Sequence, residues 1–74
     1  MGASKSIKGL LALTGKKQNE LVSLLDMASP QSLSNKFINN RWSAKDLTII
    51  SEFCGCKLAF VMPDGEHIYI DNDN

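Results

Sequence analysis

Cysteine, histidine and proline are all scarce in this chain of 74 residues, and no hydrophobic run is long enough to span a bilayer. Each shortage excludes something. The two cysteines, Cys54 and Cys56, flank Gly55, and the single histidine is His67; a structural zinc site takes four ligands, and no spacing here specifies the fourth. The usual redox motif separates its cysteines by two residues, so a redox pair is not indicated either. Both cysteines are expected to be small buried apolar groups, one at a helix end and one at a strand start. His67 sits beside Glu66 with no nucleophile near it in the pattern, so no catalytic residue, no cofactor and no metal is expected, and the chain does not read as an enzyme. No secretory leader precedes a cleavage site, which makes the cytoplasm the expected compartment. A chain this short makes one domain with a thin core, to which a partner chain would add stability.

Net charge is also lacking: eight basic side chains balance eight acidic ones. A phosphate-binding surface needs a basic footprint, so the sum argues against nucleic acid while the distribution argues for it. Residues 1–46 carry seven basic side chains against three acidic ones, and residues 47–74 carry Lys57 against five acidic ones. Such asymmetry suggests a basic working half joined to an acidic half that faces elsewhere.

Helical spacing of Ile7, Leu10, Leu11 and Thr14, with Ser4 or Ser6 as cap and Gly15 as stop, predicts a helix over 5–14. Leu21, Leu24 and Leu25 predict a second over 17–26. Ser29-Pro30 restarts the chain with a capping hydroxyl and a proline at the first helical position, giving a third over 29–39. Ser43 three residues before Asp46 resembles a capping box and opens a fourth over 43–54, with Leu47, Ile50 and Phe53 or Cys54 inward and Gly55 closing it. The period then changes to two. Alternation through Leu58, Phe60 and Met62, the turn Pro63-Asp64-Gly65, and renewed alternation at Ile68 and Ile70 predict a β-hairpin over 56–70, followed by an acidic tail at 71–74. The expected class is mainly α with a C-terminal hairpin, an α+β fold of four helices and two strands in one domain spanning 1–74.

The third helix is unusual in its polar face. Leu33 and Phe37 must face the core, which turns Gln31, Ser32, Asn35, Lys36 and Asn39 outward. A merely solvated helix favours Glu and Lys over amides, because those residues are better helix formers. Amide side chains present a donor beside an acceptor, matching adenine in the major groove, while hydroxyls and helix-start N–H groups suit phosphate oxygens.

Residues 7–53 resemble the helix-turn-helix domains of the phage repressor and Cro family, the XRE family. The resemblance rests on Gln18 at the start of helix two, Glu20-Leu21 with Leu25 a turn later, Met27 in the turn, and Leu33 anchoring helix three. It implies sequence-specific binding of double-stranded DNA by a small transcriptional regulator. Gln18 would touch a phosphate. Ser29 would open the recognition helix, whose Gln31, Ser32 and Asn35 would read bases beside Lys36. Asn39, Asn40 and Arg41 would grip the backbone after it. Two departures accompany the match: Asp26 stands where the family has glycine, and the connection through Ser29 is one residue longer.

A lone hairpin is marginal in water, so something must cover its apolar residues. A second copy would do so through Leu58, Phe60, Val61, Ile68 and Ile70, as in the Cro-like dimers this arrangement resembles, setting two recognition helices roughly 34 Å apart. A monomer whose hairpin closes its own core is the plainer alternative. The competing functional reading is a repressor-like protein-interaction module, antitoxin-like or regulatory, that uses the hairpin and Trp42, although a tryptophan after a loop is more often a core lid.

Overall fold

A computed structural model describes residues 2–70. Four helices, α1 (Ala3–Thr14), α2 (Glu20–Leu24), α3 (Pro30–Asn39) and α4 (Ala44–Phe53), precede an antiparallel hairpin of β1 (Leu58–Val61) and β2 (His67–Ile70). The α+β class and the order of elements agree with the pattern in the sequence. The expected tail at 71–74 lies outside the described residues. Among the described residues no helix is long and apolar enough to cross a membrane.

The core is built by one or two side chains from each helix. Ile7 and Leu11 of α1, Leu21 of α2, Leu33 and Phe37 of α3 and Ile50 of α4 are buried, and Leu10, Leu24, Leu25, Met27, Trp42 and Leu47 are half-buried around them. Leu21, at 0 % exposure, is the most enclosed. Two polar side chains of α4 join this interior: Ser51 donates to the Thr48 carbonyl at 2.8 Å, and both are buried. A hydroxyl that returns to its own helix needs no partner elsewhere, which is why α4 tolerates them inward.

All four helices stop in the same way. Gly15, Asp26, Asn40 and Gly55 adopt positive φ (73°, 55°, 53° and 76°). In each case the next N–H reaches back five residues, Lys16 to Leu11, Met27 to Val22, Arg41 to Lys36 and Cys56 to Ser51, at 2.8–3.2 Å. This closure satisfies carbonyls that the helix end would otherwise orphan, and it needs a residue able to turn left-handed. Glycine does so without steric cost. Asp26 and Asn40 are the polar residues that tolerate the conformation best.

The starts differ more. Ser29 caps α3 by accepting from the Ser32 N–H at 3.3 Å, with Pro30 in the first turn. Ser43 and Asp46 form the complete capping box on α4, both bonds at 3.1 Å. Expected bounds and observed bounds agree closely at these two helices. α2 is much shorter than its expected span 17–26, because residues 18–19 form a turn, with Leu21 N–H on the Gln18 carbonyl at 3.0 Å and Lys17 N–H on the Glu20 carboxylate at 2.8 Å. α1 begins two residues earlier than expected and is capped by neither Ser4 nor Ser6. Its Ser4 N–H donates instead to the Asn40 side chain at 3.0 Å, so the cap comes from the end of α3.

The hairpin pairs Leu58 with Ile70, Ala59 with Tyr69, Phe60 with Ile68 and Val61 with His67. Its turn uses Pro63, Asp64 and a left-handed Gly65 (φ 93°), with Met62 N–H on the Glu66 carbonyl at 2.8 Å. This matches the three-residue hairpin loop that ends in a left-handed glycine. β1 packs against α4, and Leu58 lines an open apolar cleft of about 250 Å³ with Ile7, Leu10, Leu47 and Ile50. Of the two cysteines, Cys54 is half-buried but Cys56 is exposed, which corrects the expectation that both lie inside.

Candidate nucleic-acid interface

Helical geometry fixes what α3 presents outward. With Leu33 and Phe37 on the core, a step of about 100° per residue sets Asn35 opposite them, flanked by Gln31 and Asn39. All three are exposed, and the Gln31 amide N–H donates to the Asn35 amide oxygen at 3.3 Å. The two amides thus lie side by side on the outer face of the helix. Ser32 lies at the flank, half-buried, and its hydroxyl shares a hydrogen bond with that of Ser29 at 3.3 Å. Beyond Pro30 in the first turn, two exposed residues of this helix were not among the expected contacts, Ser34 and Ile38. The same angular rule that exposes Gln31 would have found them; attention to amides alone passed over both.

The expected backbone contacts divide into two groups. Gln18 lies exposed in the turn before α2, and Arg41 lies exposed after α3 with no side-chain partner among the described residues. These two remain available to a phosphate. Lys36 and Asn40 are engaged internally. The Lys36 ammonium donates to the Arg41 carbonyl and to Asp46, both at 2.7 Å, and lies 5.3 Å from the centre of the Trp42 ring. Asn40 caps α1, its amide so close above Gly2 that any side chain at Gly2 would collide with it. Both residues therefore hold the loop after α3 in place rather than reach outward from it.

Burial of Asp46 would raise its pKa, but the Lys36 ammonium, with the Ser43 N–H and hydroxyl, outweighs that effect and holds the carboxyl below its ordinary 3.8. The pair is only partly buried, with 25 % and 19 % of the two side chains exposed, so its contribution to stability is small and falls with salt.

Beneath the loop, Trp42 stacks edge-on against Phe37, with ring centres 4.9 Å apart. Its indole N–H donates to the Ser4 hydroxyl at 2.9 Å, and that hydroxyl in turn donates to the Phe37 carbonyl at 2.6 Å. One buried hydroxyl thus ties α1, α3 and the loop together. Trp42 is a half-buried lid on the core, which was one of its two expected roles. Lys8 of α1 sits 5.4 Å from the centre of the Phe37 ring and adds a cation near the same end of α3.

The five expected interface residues of the hairpin do not share one face. Register puts Leu58, Ile70, Phe60 and Ile68 on one side and Val61 on the other. Leu58 and Ile70 are half-buried against the helices, whereas Phe60 (62 %) and Ile68 (53 %) stand free beyond them. On the opposite side, His67 and Tyr69 stack with ring centres 6.1 Å apart, and Lys57 lies 5.9 Å from the Tyr69 ring centre.

No family model matches the chain, and no curated protein or solved structure matches it either.

Proposed function

We propose that this protein is a small transcriptional regulator of the phage-repressor, XRE type. It binds double-stranded DNA in the cytoplasm with α3 as its recognition helix, and a second copy joins it through the hairpin. The observation that carries this reading is the exposed, amide-rich face of α3, with Gln31 and Asn35 side by side on a helix whose two ends are both secured. Amide pairs suit adenine in the major groove. Gln18 and Arg41, both exposed, serve as phosphate contacts. Lys36 acts one step removed, fixing the loop that presents Arg41.

Selection of bound fragments from random duplex DNA at two ionic strengths tests the proposal. An enriched sequence and an affinity that falls steeply with salt are expected. Gln31→Ala should weaken the selected site by about 1–3 kcal/mol and relax one position, while Arg41→Ala should weaken all duplexes and reduce the salt slope by about one. Recovery of no sequence preference together with flat salt dependence would overturn it.

The exposed Phe60 and Ile68 favour a second reading, a repressor-like interaction module that binds another protein through the hairpin. Binding of that kind would survive Gln31→Ala and Arg41→Ala and be lost with Phe60→Ser.

A further inference from the structure

Ile38 is the one large apolar side chain on the outer side of α3, and it is 75 % exposed. Leu33 and Phe37 already fill the inward stripe of the helix, so the core makes no use of it. It lies three residues after Asn35 and four after Ser34, positions whose Cβ atoms adjoin its own at about 5–6 Å on a helix. Apart from Pro30 in the first turn, the other exposed side chains of this helix are amides and serine, with Arg41 just beyond. A single aliphatic group in such surroundings is too small a patch to seat a protein, which asks for several hundred Å² of contiguous apolar surface.

We propose that Ile38 is a specificity residue that packs on the C5-methyl group of a thymine in the major groove. The inference rests on the reading of α3 as a recognition helix and extends it to a residue chosen for shape rather than hydrogen bonding. Thymine alone among the four bases offers a methyl group there. Each adenine suited to Gln31 or Asn35 faces a thymine across its pair, so a segment read by those amides displays methyl groups in the same groove. The helix rises about 1.5 Å per residue, which carries Ile38 about 4.5 Å past Asn35, against a base-pair spacing of about 3.4 Å.

The experiment uses the full chain and the duplex recovered by selection, with each thymine replaced in turn by deoxyuridine, which pairs identically but lacks the methyl. At one position the replacement should weaken the unaltered protein about fourfold, the loss expected for one buried methyl. Ile38→Ala should bind the thymine and deoxyuridine duplexes equally, and Ile38→Val should keep part of the difference. Because the side chain is exposed, neither variant should shift the thermal midpoint, which separates lost recognition from lost fold. Should the selection recover a site at which Ile38→Ala keeps the same methyl dependence as the unaltered protein, or at which no thymine shows any, this assignment falls while the DNA reading stands. Should the selection recover no site, both fall together.

Discussion

The helical body and the hairpin solve the same problem in opposite ways. In the body every helix places at least one apolar side chain in a shared interior, and each helix ends in a closure that satisfies its own carbonyls. In the hairpin, all backbone pairing is local, while the large apolar side chains beyond Leu58 and Ile70 are exposed among the described residues. Two strands by themselves are marginal, and the hairpin is supported at one end by the packing of β1 on α4. Buried apolar side chains thus lie mainly in the body, and exposed ones mainly in the hairpin.

Core truncation tests the first half of that contrast most severely. Leu21→Ala should cost about 2–5 kcal/mol in denaturant unfolding, because the side chain is wholly enclosed and its removal leaves a cavity. Ser4→Ala should cost about 1–3 kcal/mol in the same measurement, since it orphans the Trp42 indole N–H and withdraws a donor from the Phe37 carbonyl. Asp26→Gly works in the other direction. It should raise stability by about 1 kcal/mol, the strain of a left-handed non-glycine residue, with no other change in the unfolding profile. Smaller still is Phe60→Ser, expected to change unfolding of the dilute protein by about 0.5 kcal/mol or less while reducing self-association in sedimentation equilibrium. A large loss of stability in that variant would mean that the hairpin supports the body after all.

Acid titration sharpens the contrast from the electrostatic side. Asp46 titrates lower in the folded chain than its ordinary 3.8, so its contribution is complete above that value and is lost as pH falls through the lower, folded value. Unfolding measured from pH 6 down to pH 2 should lose this increment only in the acid range. Asp46→Asn should flatten that part of the profile.

How much of this was legible in the sequence depended on how far each residue's partner lay along the chain. The starts of α3 and α4 were readable because Ser29 and Ser43 cap groups three residues away. The hairpin followed from period-two alternation and the Pro63-Asp64-Gly65 turn, and its register only from the structure. Ser4 looked like a cap for its own helix because nothing local shows that its hydroxyl serves Phe37 and Trp42, both more than thirty residues away. Asn40 and Lys36 misled in the same manner: both looked free for phosphate, and both are engaged by α1 and α4. The outward set on α3 was readable by angle alone, and Ser34 and Ile38 were passed over only because their chemistry drew less notice than the amides.

The protein has a single tryptophan, and Trp42 lies where α1, α3 and the start of α4 converge, its N–H committed to a buried hydroxyl. Nature has in effect installed a fluorophore under the loop that follows the proposed reading helix. Its emission maximum and quenching should therefore report separation of the first helix from the third, and any ligand-induced shift of that loop, in real time and without a label.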